Sequence, residues 1–180
     1  MSNWNRVFKP IVVLCVICIV ITGALAATNA ATSKVIAEAK AAAEKAARSE
    51  LLPEADDFKE VTGVSVENVT AVFEATNGTG YVITSTSKGY GGTMTVMVAF
   101  TPDSTIKQIK VTEQGETQGI GSKVANTPSY WERYQGQPAD GQLKITKDGG
   151  TIDGENGATI SSRALAKAVS SAIEAYNAIP

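Results

Sequence analysis

Histidine is absent from all 180 residues. Its absence removes the commonest general base, the commonest metal ligand and every Ser-His or Cys-His nucleophile pair, so conventional hydrolase and zinc chemistry are poor fits. Cysteine is nearly absent too. Cys15 and Cys18 both lie in one apolar segment, so the rest of the chain cannot be a disulfide scaffold. Three residues apart on a helix, they read as two small apolar side chains rather than an aqueous dithiol site. Charge is low and balanced, 16 Lys and Arg against 18 Asp and Glu for a formal net charge of −2. No basic stripe marks a nucleic-acid surface. The length leaves room for one modest domain plus an appendage.

The appendage is visible as "FKPIVVLCVICIVITGALAA" (Phe8 to Ala27), with no charged residue from Pro10 to Ala31. At about 1.5 Å rise per residue, a helix needs about 20 residues to cross the hydrocarbon core, and this stretch suffices. Arg6, Lys9 and the amino terminus flank its start, so the positive-inside rule leaves residues 1–9 in the cytoplasm and sends the remainder outside. A cleaved signal peptide competes with this reading, because "ALA" (Ala24 to Ala26) and "NAA" (Asn29 to Ala31) are small-residue sites behind an apolar core. Both readings put the bulk of the chain on the extracytoplasmic side. The expected organisation is a tail (1–9), a transmembrane anchor in the lipid bilayer (10–31), a stalk helix and linker (32–60) and a soluble domain (61–180).

The stalk, "TSKVIAEAKAAAEKAARSELLPEADDF", is rich in Ala, Glu and Lys, with Thr32 or Ser33 available as a cap and Pro53 as a stop. Val35, Ile36, Ala39, Ala42, Ala43 and Ala46 form only a weak apolar stripe. The period then changes. Segments 69–75, 81–87, 93–100 and 105–113 are rich in β-branched and aromatic residues, and "TNGTG", "KGYGG" and "TPDS" between them are turn signals. They predict a meander of about four antiparallel strands. An irregular stretch follows, then a short strand around "GQLKITK" and a helix beginning near Thr159. On that helix Ile160, Ala164, Ala168, Ala172 and Tyr176, with Leu165, Val169 and Ile173, give a broad apolar face for the sheet. The expected fold is α+β, an antiparallel sheet packed with helices.

Three glycine-rich segments remain: "KGYGG" (Lys88 to Gly92), "GETQGIGSK" (Gly115 to Lys123) and "DGENGAT" (Asp153 to Thr159). Alone, each is an ordinary turn. The first two sit at opposite ends of a two-strand run, and the third opens a helix whose first N–H groups favour an anion. Glycines admit a flat ring against the backbone, so a planar anionic cofactor would use both features. The plain alternative is that Thr159 merely caps the helix.

"DGENGAT" followed by "ISSRAL" resembles the flavinylation motif of the FMN-binding domain family: an aspartate, two variable residues, Ser or Thr, Gly, Ala, and a final Thr or Ser. Asp153, Gly157, Ala158 and Thr159 fit, and Asn156 stands where Ser or Thr is usual. "GYGG" is similar to that family's glycine turn, and "ETQGIGSK" to its E-T-P-G-L-G segment, with Gln118 in place of proline. The anchor, the helix ending in "LLPEADDF" and the element order resemble the G subunits of Rnf electron-transport complexes.

The resemblance implies FMN held covalently as a phosphoester on Thr159, installed by a flavin transferase that reads Asp153 and the Gly157 to Thr159 turn. It implies a flavin site drawn from Gly89, Tyr90, Gly91, Gly92, Glu116, Thr117, Gly119, Ile120, Gly121, Lys123, Ser161 and Ser162, with Arg163 adding positive charge one turn on. It further implies a non-catalytic relay passing electrons through partner membrane subunits of a complex that couples ferredoxin:NAD electron transfer to sodium or proton translocation. The alternatives are a subunit of a sodium-pumping NADH:quinone reductase, a free-standing extracellular flavoprotein, and an exported structural or ligand-binding protein without cofactor.

Overall fold

A computed structural model describes residues 7–179; Arg6 and the amino terminus, used above for orientation, lie outside the described residues. The chain forms two compact units, Met1–Ala43 and Glu44–Pro180.

Helix α1 (Lys9–Leu51) is 43 residues long. Its most apolar window reaches a mean hydropathy of 2.8 with no residue buried, so it is long and apolar enough to cross a membrane. Cys15 and Cys18 are exposed free thiols on it. The expected cap at Thr32 or Ser33 is not there. Thr32 Oγ1 donates to the Thr28 carbonyl at 2.9 Å and Ser33 Oγ to the Ala30 carbonyl at 3.3 Å, both inside the uninterrupted helix. No Gly or Pro breaks the run between anchor and stalk, and such hydroxyls bond backward when the helix continues past them. The helix stops at Leu51, two residues before Pro53.

The second unit is built on five antiparallel strands in chain order: β1 (Phe58–Glu60), β2 (Val69–Ala75), β3 (Tyr81–Lys88), β4 (Thr93–Phe100) and β5 (Ile106–Glu113). Four match the expected strands. The fifth, β1, comes from a segment read as linker; it is three residues long and defined by its pairing with β2, Phe58 opposite Ala75 and Glu60 opposite Phe73. So short a strand carries no periodic signal.

Both faces of the sheet are covered, which explains why the strands alternate only in part. Along β4, Val96, Val98 and Phe100 join the core shared with helix α4 (Thr159–Asn177), whereas Met97 and Ala99 join Leu51, Leu52 and Ala47 on the other side. Leu51 and Leu52 are buried, and each such side chain contributes about 1.5–3 kcal/mol. Arg48 lies over the Phe73 ring at 4.0 Å. On α4 the expected face is realised by Ala164, Leu165, Ala168, Val169, Ala172 and Ile173, all buried. Ser85 Oγ donates to the Ala168 carbonyl at 2.8 Å, satisfying a buried hydroxyl while fixing α4 to β3. Ile160 departs from the expected face and is half exposed.

The stretch after β5 is shaped by two short helices, α2 (Ser122–Ala125) and α3 (Pro128–Trp131), and two 3₁₀ turns, Glu132–Tyr134 and Thr146–Asp148. The expected strand around "GQLKITK" does not form. Ile145 makes a single parallel bridge to Ile152, and the chain between them folds back through the second 3₁₀ turn. Gly149 ends that turn in the left-handed region at φ 80°, and the Gly150 N–H donates to the Ile145 carbonyl at 3.0 Å. A reversal closed over so few residues leaves no length for a ladder.

Candidate functional site

Antiparallel pairing brings together the two glycine loops that sit at opposite ends of the β4–β5 run. Thr95, near the start of β4, faces Glu113 at the end of β5. The loops beyond these residues therefore lie against each other. A Cβ added to Gly91 would meet the Gly115 carbonyl oxygen at 2.0 Å, an approach only glycine permits.

Glu116 sits at the centre of this junction. Its side chain is buried, with 8% exposure. Oε1 accepts from the Gly91 N–H at 3.3 Å, and Oε2 accepts from Ser161 Oγ at 2.5 Å. Glycine surrounds it: a Cβ on Gly89 would fall 2.0 Å from Oε1, and one on Gly121 2.4 Å from Oε2 and 2.6 Å from Ser161 Oγ. Three motif glycines thus make room for protein atoms, the Glu116 carboxylate and the Gly115 backbone. Gly89, Gly91 and Gly121 therefore have a packing role inside the protein, and Gly121 also lines the adjacent cavity.

The first turn of α4 forms the opposite wall. Gly157 approaches it with φ 81°, and Ala158 is the N-cap residue, with no side chain capping the end. Thr159 is the first helical residue and not the cap. Its Oγ1 accepts a 3.1 Å hydrogen bond from the Lys147 ammonium. Ser162 is buried, and its Oγ accepts from the Glu155 N–H at 3.0 Å, which holds the loop before the helix. Arg163 does not face Thr159. It makes a two-pronged pair with Asp148, Nε to Oδ2 and Nη2 to Oδ1, each 2.7 Å. That hydrogen-bonded guanidinium holds the Asp148 carboxyl below the usual carboxylate range.

Between these walls lies a cavity of about 640 Å³, lined by Tyr90, Glu116, Thr117, Ile120, Gly121, Lys147, Gly157, Ala158, Thr159, Ile160 and Ser161. The volume is that of an ordinary small-molecule site. Three of its residues are apolar side chains left open to solvent: Tyr90 at 71%, Ile120 at 51% and Ile160 at 50% exposure. Among the described residues after α1, these are the exposed large hydrophobic side chains. Their convergence on one hollow marks a binding surface.

Nine of the residues expected from sequence line this cavity. Gly89, Gly91 and Gly92 lie outside the lining. Gly119, at φ 76°, donates its N–H to Ser122 Oγ at 2.8 Å, and Lys123 lies outside the lining. Asp153 is exposed, its backbone carbonyl accepting from the Arg133 guanidinium. Two lining residues escaped the sequence reading, Lys147 and Ile160. Ile160 was assigned to the sheet face. Lys147 belongs to a turn read as strand, and the Gly149-Gly150 pair that follows it was the signal for that turn.

Comparison with known proteins agrees with this geometry. Residues 89–174 match the FMN-binding domain family, a span that includes both glycine loops and most of α4. Over nearly its whole length the chain is similar to the G subunit of the ion-translocating oxidoreductase complex of Methanosarcina acetivorans, 32% identical over 187 residues that cover 99% of this chain and 98% of that protein. It is 31% identical to the G subunit of the Na(+)-translocating ferredoxin:NAD(+) oxidoreductase complex of Acetobacterium woodii, covering 97% and 93%. It is 30% identical to the G subunit of the proton-translocating ferredoxin:NAD(+) oxidoreductase complex of Clostridium ljungdahlii, covering 96% and 93%. The chain belongs to this family of G subunits, and it carries an FMN-binding domain.

The residues present fit such a group. Tyr90, Ile120 and Ile160 offer apolar surface to a flat ring, while Lys147 and the uncapped start of α4 offer positive charge and N–H donors to a phosphate. Thr159 Oγ1 lies among them.

Proposed function

We propose that this chain is the flavin-carrying electron relay of a membrane-bound, ion-translocating oxidoreductase complex, with FMN joined to Thr159 through a phosphoester. The observation that carries this reading is the placement of Thr159 in a cavity edged by the exposed apolar side chains Tyr90, Ile120 and Ile160, with the Lys147 cation on its hydroxyl. A cofactor-free exported protein would use Thr159 as a helix cap, yet Ala158 holds that position and Thr159 makes no capping bond.

The bound flavin would supply one- and two-electron redox chemistry. The chain's own residues bind and orient it. The covalent link prevents loss outside the cytoplasm, Tyr90, Ile120 and Ile160 cover ring surface from water, and Glu116 holds the glycine loop to α4 so that the two walls keep their spacing. Residues 10–31 of α1 would anchor the chain in the bilayer with residues 1–9 inside and the domain from residue 61 outside. A flavin transferase would load Thr159, reading Asp153 and the Gly157 to Thr159 turn. Partner membrane subunits would deliver and remove electrons in a complex that couples ferredoxin:NAD electron transfer to sodium or proton movement, as the names of the relatives indicate for those proteins.

The test is in-gel fluorescence. Full-length protein co-expressed with a flavin transferase is expected to fluoresce under ultraviolet light after denaturing electrophoresis, and Thr159→Val to be dark. Absence of fluorescence from the unaltered protein would overturn the reading.

A further inference from the structure

We infer that Lys147 is the positioning residue for flavin attachment, orienting the Thr159 hydroxyl and then pairing with the phosphoester anion; this rests on the reading of Thr159 as the attachment point. Lys147 and Asp148 are neighbours in the 3₁₀ turn Thr146–Asp148, and each grips α4 one helical turn apart: Lys147 at Thr159, Asp148 at Arg163. The turn itself is pinned, the Thr146 N–H donating to the Ile152 carbonyl at 2.9 Å and the Gly149 N–H to the Thr146 carbonyl at 3.1 Å. The Asp148–Arg163 pair thus occupies the arginine and fixes the segment that carries Lys147. Among the described residues lining the cavity, Lys147 is the one cation.

The chemistry of attachment needs such a group. A phosphorus–oxygen bond forms from Thr159 Oγ1 to the flavin phosphate of a flavin dinucleotide, and the anhydride bond of that donor breaks. The departing nucleotide phosphate takes the electron pair, and the hydroxyl proton passes to a base of the transferase. Lys147 donates to Oγ1 and is not that base. Its N–H bond to Oγ1 turns the hydroxyl proton away from the lysine and stabilises charge growing on the oxygen. Once the ester exists, the same ammonium faces a phosphoryl group that keeps one negative charge.

Full-length protein in detergent, purified transferase and flavin dinucleotide give the rate of attachment by intact mass. Lys147→Met is expected to load about tenfold more slowly, the size of one charge-assisted hydrogen bond, and Lys147→Arg to keep most of the rate. Lys144→Met, a cation loss three residues away outside this cavity, should load at the wild-type rate. The ³¹P resonance of the loaded protein supplies a second readout. Its chemical shift is expected to change in loaded Lys147→Met, where no ammonium faces the phosphoryl group, and to be largely kept in Lys147→Arg. Wild-type loading in Lys147→Met together with a ³¹P shift unaltered in that variant would overturn the role of Lys147 and leave Thr159 attachment standing. A wild type that takes up no flavin would overturn both.

Discussion

Ser161 donates its hydroxyl to the buried Glu116 carboxylate across 2.5 Å, joining the loop after β5 to the first turn of α4 over 45 residues of sequence. The Gly91 N–H, from the loop before β4, completes the junction. One carboxylate therefore ties together two glycine-rich loops and the helix that the third glycine-rich segment opens. Removing it by Glu116→Ala strands a buried hydroxyl and loosens both loops. The expected cost is about 1–3 kcal/mol in urea unfolding of the domain. Glu116→Gln, which keeps one acceptor, should lose less.

Glycines 91 and 157 answer to different constraints. A Cβ on Gly91 would strike backbone, the Gly115 carbonyl oxygen at 2.0 Å, so Gly91→Ala must displace one loop. Its unfolding midpoint should drop markedly, by about 1–3 kcal/mol in stability. Gly157 opens onto free space and is constrained only by φ 81°, so Gly157→Ala should cost about 1 kcal/mol. A larger loss in Gly157→Ala than in Gly91→Ala would contradict the assignment.

Exposure separates binding from stability at Tyr90. With 71% of its surface open, Tyr90→Ser should change unfolding stability by no more than about 0.5 kcal/mol. The fluorescence yield of the bound flavin should rise as an aromatic neighbour is removed. A large stability loss with unchanged flavin emission would place Tyr90 in the scaffold instead.

The Asp148–Arg163 pair has a defined pH signature. Its hydrogen-bonded guanidinium depresses the Asp148 pKa in the folded protein below the ordinary 3.8. The stabilisation is thus present above that ordinary value and is lost as pH falls through the lower, folded one. A carboxyl ¹³C titration should give an Asp148 midpoint below 3.8 in the wild type and a return toward it in Arg163→Gln. An unchanged midpoint in that variant would show that the pair does not form in solution.

Much of the scaffold was legible in the sequence because it rests on local pattern. The runs Val69–Ala75 and Thr93–Phe100 are strands, and α4 starts at Thr159, where the glycine-rich turn ends. Features set by distant partners were not. Helical spacing put Arg163 beside Thr159, but a bidentate partner in the turn 15 residues upstream takes the guanidinium away, and the cation that reaches the threonine comes from that same turn. Glu116 was visible as a motif letter, while its role as the acceptor between loops depends on antiparallel pairing of β4 with β5. Ile160 has the spacing of a core residue, yet it lies in the first turn of α4, at the cavity.

The most direct test of the central claim is peptide mass spectrometry of full-length protein made together with a flavin transferase. The expected result is one FMN, less one water, on the proteolytic peptide that contains Thr159, with fragment ions placing it on that residue, and an unmodified peptide in Thr159→Val. An unmodified Thr159 peptide in the wild type, or flavin mapped to another residue, would contradict it.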